Sequence, residues 1–189
     1  MEIEKAIYSR RTIRRFKQDP IPIELLKKLI DYARLAPAGM NIQGLEYIII
    51  SDTEMRNKLF PLLRWAALLP EDDRTPEVGR RPTAYIIVLG NTKIKRNVDI
   101  DVGAAIENIL LGALNYGIGS CWMGSIDRDK IRELFNVPDQ YLIKYVISLG
   151  FSDEESVTEP FTGSFKYWKE QNTMHIPKRD LDKIIFKIF

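Results

Sequence analysis

Sulfur and imidazole are scarce in this chain: among 189 residues there is one cysteine, Cys121, and one histidine, His175. A lone thiol cannot form an intramolecular disulfide, and zinc sites of the usual kind need more Cys and His ligands than are present. One histidine without a matching serine and carboxylate pattern argues against a hydrolytic triad. Cys121 lies in an apolar stretch with no base beside it, which predicts an inert core thiol. Long apolar runs are missing as well. The longest, Ile109 to Tyr116, is too short to cross a bilayer and contains Asn115. Charge of one sign is also in short supply: 28 Lys and Arg against 26 Asp and Glu leave a formal +2. That is not the basic excess of a non-specific nucleic-acid binder. The single cysteine, and a start without a signal-peptide pattern, lead us to expect a reducing, cytoplasmic setting with neither nucleic acid nor membrane as partner.

What is present is apolar material in periodic order. Hydrophobic residues make up 45% of the chain, enough for a real core, and the length suits one domain over residues 1–189. Residues 2–9 read as a short helix. Pro22 opens a second one, where its missing N–H costs nothing, and Leu25, Leu26, Leu29, Ile30 and Ala33 give it an apolar face. Pro37 ends it. Leu45 to Ile50 reads as a strand, followed by a Ser51/Glu54 capping-box pattern for the next helix. Residues 70–82 are polar and proline-rich, a surface excursion, and Thr83 to Leu89 is a buried strand.

Residues 99–116 form the most apolar helix. Its stripe of Val102, Ala105, Ile106, Ile109, Ala113 and Tyr116 is widened by Ala104, Leu110, Leu111 and Leu114, so it should be buried on more than one side. Ser120 to Met123 is a short strand, Asp127 to Phe135 a helix, and Tyr141 to Phe151 a strand. Residues 152–179 look loop-like, and the tail from Asp180 carries Leu181, Ile184, Ile185 and Ile188 on one helical face. Loose alternation of strands and helices means α/β or α+β, with the strand order open.

Four segments could carry chemistry. Arg10, Arg11, Thr12 and Arg14 follow the first helix. If that segment is extended, Arg10, Thr12 and Arg14 share a side, and two guanidinium forks with a hydroxyl suit a phosphate or a polar ring edge. From spacing alone a solvated basic turn fits as well. Pro37 to Gln43 is a glycine-containing loop in which Asn41 and Gln43 offer both donors and acceptors, although a plain connection has the same composition. Gly117-Ile-Gly-Ser-Cys-Trp-Met-Gly124 begins like a dinucleotide fingerprint. It fails that pattern because Trp122 holds the third glycine position and a helix, not a strand, precedes it. His175-Ile-Pro-Lys178-Arg179 is a second basic cluster, by default a surface loop.

Taken in order, these segments resemble the nitroreductase family. Ser9-Arg-Arg-Thr-Ile-Arg-Arg-Phe16, then Ala36-Pro-Ala-Gly-Met-Asn-Ile-Gln43 before a hydrophobic strand, is similar to that family's opening. Asp101-Val-Gly-Ala-Ala-Ile-Glu-Asn-Ile-Leu110 resembles its central helix, and Gly117 to Gly124 its flavin-facing strand. The likeness spans residues 5–150, with a weaker match at Lys178-Arg179. It implies an α+β fold, a nitroreductase-like α/β sandwich with a central, mostly antiparallel sheet flanked by helices. It further implies a homodimer with FMN at the interface.

Carried over, Arg10, Arg11 and Thr12 would hold the FMN phosphate and ribityl chain, and Arg14 would lie by the pyrimidine edge. Pro37, Ala38, Gly39, Asn41 and Gln43 would approach from the partner chain. Met123 and Gly124 would offer backbone groups near N5, and Lys178 and Arg179 would return to the phosphate. The sequence departs from the family where Ala38 and Gly39 replace a common serine, and residues 70–82 are the only room for a helical insertion. The resemblance also accounts for the missing acid, base and nucleophile, since flavin carries the redox chemistry. It implies ping-pong electron transfer from NADH or NADPH to a small-molecule acceptor such as a nitroaromatic or quinone. A specialised branch (flavin fragmentation or reductive dehalogenation), a flavin-binding or sensing module without turnover, and a small domain for another phosphate ligand are the alternatives.

Overall fold

The computed structural model describes residues 2–189. Its centre is a four-stranded sheet in the order β1-β2-β4-β3, antiparallel throughout, built from β1 (Leu45–Ile50), β2 (Ala84–Asn91), β3 (Ile118–Met123) and β4 (Tyr141–Phe151). Every residue of β2 is buried, and alternation sends its side chains into two cores. Ala84, Ile86 and Val88 pack with α2 (Ile23–Arg34) and α5 (Asp99–Leu114), whereas Tyr85, Ile87 and Leu89 pack with Leu59 of α3 (Thr53–Leu59) and Ile131 of α6 (Arg128–Phe135). The sheet is thus covered on both faces, as its apolar β2 requires.

Helix α5 buries seven residues, from Asp101 to Ala113, and crosses α2 closely: a Cβ on Gly112 would come within 2.4 Å of the Tyr32 ring. The register of β2 and β4 slips between Val88 and Leu89, so that Lys144 bulges and Tyr145 faces the α5 side. Among the described residues no helix is long and apolar enough to cross a membrane.

Three details correct the sequence reading. Residues 152–179, expected to be loop, contain a second sheet in the order β5-β7-β6: β5 (Glu155–Pro160) and β7 (Thr173–Lys178) are parallel, and β6 (Trp168–Glu170) is antiparallel to β7. These strands are short and polar, contain Pro160 and Pro177, and bury fully only Met174, so no period-two signal marks them. His175 belongs to this sheet's own fabric: its Nδ1 meets Glu159 Oε1 at 2.6 Å and its ring stacks on Trp168 at 5.1 Å.

The cap of α3 is Asp52, whose carboxylate accepts the Met55 N–H at 2.9 Å, and not Ser51. In the tail only α7 (Leu181–Ile184) is helical, and all of residues 181–189 are exposed. The excursion at 70–82 holds the short α4 (Glu71–Arg74) and is anchored, with Pro76 and Pro82 buried and Glu77 paired to Arg15 at 3.0 Å.

Candidate active site

The arm that follows α1 (Ile3–Ser9) lies along β3. Thr12 bridges Ser120, the Ile13 N–H donates to the Ser120 carbonyl at 2.9 Å, and Lys17 N–H donates to the Phe151 carbonyl at 2.8 Å. Gly119 makes this approach possible, because a Cβ there would stand 2.9 Å from Ile13 and 2.5 Å from Ser152 Oγ. A buried carboxylate fixes the arm's far end. Glu154 accepts the N–H groups of Arg14 at 2.5 Å and Arg15 at 3.3 Å. Arg15 is itself buried, its Nη1 3.7 Å from Glu154 and its Nη2 donating to the Asp73 carbonyl at 2.9 Å. Arg15 is therefore an anchor of the arm.

Arg10, Thr12 and Gly124 come together in one cleft of about 430 Å³, walled by Glu107, Leu110, Ser120, Trp122 and Tyr145. Trp122 and Tyr145 meet edge to face, their ring centres 5.2 Å apart. Arg10 Nε lies 3.2 Å from Glu107 Oε1. Arg11 donates to the Arg10 carbonyl, and burial together with the Arg10 charge holds its guanidinium below the ordinary value. Arg10 and Arg11 are crowded cations, and the carboxylate at Arg10, Glu107, is half-exposed, which leaves room for a further anion.

Arg14 does not join this cleft. Its guanidinium carbon sits 5.1 Å over the Tyr167 ring, and its Nη1 is buried without a hydrogen-bond partner. Of the expected common side, Arg10 and Thr12 stay together and Arg14 leaves it, its backbone held by Glu154 and its guanidinium over Tyr167. Burial pushes the Cys121 thiol up, with Arg14 pulling the other way, which agrees with an inert thiol. Met123 is buried in the α3–α6 core, and only its neighbour Gly124 opens to the cleft.

The 37–44 loop lies at the other end of α5. Pro37, Ala38 and Gln43 border a cavity of about 480 Å³ together with Tyr47 and Asp101. Burial pushes the Tyr47 phenol up to about 12, so it stays neutral there. Gly39 N–H donates to Asp101 Oδ1 at 3.2 Å, and Asn41 is exposed. Asp101 and Glu107 are six residues apart on one helix, or about 9 Å at 1.5 Å per residue. One chain thus carries two separate groups of candidate residues. Lys178 and Arg179 are exposed at the end of the second sheet, Arg179 donating to the Lys183 carbonyl, and neither reaches the Arg10 cleft.

Several residues of these two groups are not marked by the sequence alone: Glu107, Ser120, Trp122 and Tyr145 in the cleft, Lys95 and Asp101 at the loop. Within β3 Trp122 is the exposed residue, and Ser120, two residues earlier and so on the same side, is buried under the arm at Thr12. Nothing local marks Glu107 or Tyr145, which arrive from elements distant in sequence.

The nitroreductase family model matches residues 7–151. A protein of Archaeoglobus fulgidus, provisionally named an NADH dehydrogenase/NAD(P)H nitroreductase, is 34% identical over 162 residues, which cover 82% of this chain and 87% of the relative. An FMN-dependent nitroreductase structure from Clostridium difficile superposes with a TM-score of 0.67 at 26% identity, covering 80% of this chain and 88% of that one. A structure from Bacteroides thetaiotaomicron covers 99% of this chain and 98% of its own with a TM-score of 0.71; at 22% identity it speaks for the fold alone. The chain belongs to the nitroreductase family, a family of oxidoreductases, and has its α+β sandwich fold.

Proposed function

We propose that this protein is an FMN-dependent oxidoreductase that passes electrons from NADH or NADPH to a small acceptor, such as a nitroaromatic or a quinone, by a ping-pong mechanism. The whole chain acts as one domain, in a homodimer. When bound, FMN supplies the hydride-accepting and electron-donating chemistry, and the protein supplies position and electrostatics.

The observation that carries this reading is the Arg10 cleft: a guanidinium with Arg11 crowded beside it, a hydroxyl and an aromatic wall, without an acid–base pair singled out for catalysis. The residues fit the cofactor. Arg10, Arg11 and Thr12 would hold its phosphate and ribityl chain, whereas Arg14, over Tyr167 and outside the cleft, would act on the ring as a nearby buried charge and not as a contact. Gly124 would offer backbone, Met123 would stiffen the strand behind it, and Leu110, Trp122 and Tyr145 supply an apolar wall. Pro37, Ala38, Gly39, Asn41 and Gln43 would come from a second copy, and Lys178 or Arg179 would add charge for the phosphate.

The separation of the two half-sites on α5 supports a site completed between copies. So do the exposed Ile3, Tyr8, Leu35 and Ile100, with Phe186 and Phe189. A cytoplasmic setting is consistent with the free, buried Cys121. Protein purified without added cofactor should be yellow, release FMN on denaturation by mass, and oxidise NADH or NADPH only when an acceptor is supplied. Release of FAD, or failure to take up FMN on reconstitution, overturns the reading.

A further inference from the structure

The loop between α2 and β1 is held more firmly than a connection needs. Met40 and Asn41 both have left-handed backbone, with φ of 58° and 55°. Two such residues in succession, neither of them glycine, persist only where the surroundings impose the conformation. The turn carries its own bonds, Asn41 N–H to the Ala38 carbonyl at 2.9 Å and Ile42 N–H to the Gly39 carbonyl at 3.2 Å, and a largely buried ion pair grips Gly39, the residue before Met40 and Asn41. Asp101 Oδ1 accepts the Gly39 N–H at 3.2 Å, and Asp101 Oδ2 takes Lys95 Nζ at 2.6 Å. Lys95 Nζ also donates to the Gly39 carbonyl at 3.4 Å. Both polar backbone groups of one residue are thereby tied to one ion pair. Gly39 is suited to the role, since a Cβ there would already stand 3.1 Å from Lys95 Nζ.

The pair is not a generic surface contact. Asp101 is buried and Lys95 mostly so, at 7% and 20% side-chain exposure. Asp101 also borders the cavities on both sides of the loop, one with Gln43 and Tyr47 and the other with Lys95 and Ile100. Burial alone would raise the Asp101 carboxyl, but the hydrogen bonds from Lys95 and Gly39 outweigh it and keep the group charged. Two residues earlier on the same helix, Asp99 pairs with Lys144 at 2.5 Å yet is largely exposed and touches no part of the loop. The two ion pairs differ in what they hold.

We propose that Lys95 and Asp101 are positioning residues. They latch the 37–44 loop in the shape in which it meets the flavin, and so set how tightly the cofactor is held. The second half of this inference rests on the FMN reading above. The test compares hydrogen exchange of the peptide covering 37–44, together with FMN affinity, in the wild type, Asp101→Asn, Lys95→Met, Lys95→Arg and, as a control, Lys144→Met. Losing a charge-assisted contact should speed loop exchange at least about tenfold in Asp101→Asn and Lys95→Met, and weaken FMN binding by a similar factor. Lys95→Arg, which keeps the cation, should restore slow exchange, and Lys144→Met should leave the loop unchanged. Exchange of α5 reports whether each variant is folded. Unchanged loop exchange in folded Asp101→Asn and Lys95→Met overturns the latch, as does equal loosening in Lys144→Met. A loosened loop with unaltered FMN affinity overturns the positioning role. If the wild type takes up no FMN, the cofactor reading fails, and the exchange comparison still upholds or overturns the latch.

Discussion

Arg10 and Arg14 are four residues apart and meet different surroundings, so their replacement should separate binding from redox tuning. Arg10 lies in the open cleft beside Glu107, whereas Arg14 is held by Glu154 at its backbone and carries a buried, unpartnered Nη1. A hydrogen bond to a charged group contributes about 1.5–3 kcal/mol net, so Arg10→Ala should weaken FMN binding about ten- to a hundredfold. The midpoint potential at saturating FMN should stay near the wild-type value. On the proposed reading Arg14 is a buried positive charge near the ring, and Arg14→Ala removes it. Reduced flavin then loses more stabilisation than oxidised flavin, and the potential should fall. Equal potentials in wild type and Arg14→Ala at full occupancy would refute the role given to Arg14.

Asp101 gives a pH signature at the same scale. Burial would raise its carboxyl, but the Lys95 and Gly39 contacts win and its folded value lies below the ordinary one. A depressed carboxylate adds stability that is fully present above the unfolded pKa and is lost as pH falls through the folded value. Thermal midpoints taken downward from the ordinary carboxylate range should therefore fall more steeply in wild type than in Asp101→Asn. Parallel curves would remove the ion pair from the stability balance.

Among the elements, the helix caps allow a sharp comparison. The Asp52 carboxylate accepts the Met55 N–H at 2.9 Å, and Ser51 gives α3 no cap. Asp52→Ala should cost about 1 kcal/mol in denaturant unfolding. Ser51→Ala should stay within about 0.5 kcal/mol, as surface changes away from such features do. A larger loss at Ser51 would reinstate the capping box. This difference shows where sequence reading works. Strand Leu45–Ile50 and strand Tyr141–Phe151 emerge with the bounds expected of them, because β-branched runs flanked by breakers signal strands strongly. Two adjacent cap-competent residues, by contrast, cannot be told apart by pattern.

The second sheet stayed hidden for a different reason. Its pairing is non-local, β5 with β7 in parallel, and its strands bury too little to print a period. The site divides in the same way. The arginine arm and the loop are local motifs and could be named from spacing and resemblance. Glu107 and Lys95 gain their meaning only from a fold that sets them opposite Arg10 and Asp101.

At the scale of the whole molecule, the tail is the part that one chain leaves unexplained. Residues 181–189 are exposed throughout, and Ile184, Ile185, Ile188 and the fully exposed Phe186 and Phe189 form an apolar run that touches no core. A four-residue helix such as α7 has little stability of its own in water. So much apolar surface on a short tail calls for a partner, and the exposed Ile3, Tyr8, Leu35 and Ile100 present further apolar area on the same chain. A homodimer meets both needs, and an obligate interface typically buries ~2,000–5,000 Å².

Truncation after Asp180 tests this directly. It removes the tail and leaves the described cores of β2, α2, α5, α3 and α6 intact, since none of residues 181–189 belongs to them. The truncated chain should therefore fold, with far-UV circular dichroism close to wild type. In sedimentation it should dissociate at concentrations where the full chain is dimeric. If the half-site of one chain is completed by the loop of the other, flavin retention on dilution must fall in step with dissociation. A full-length chain that sediments as a stable monomer and still binds FMN tightly would contradict both the dimer and the shared site. A truncated dimer of undiminished affinity would leave the dimer standing and remove the tail from it.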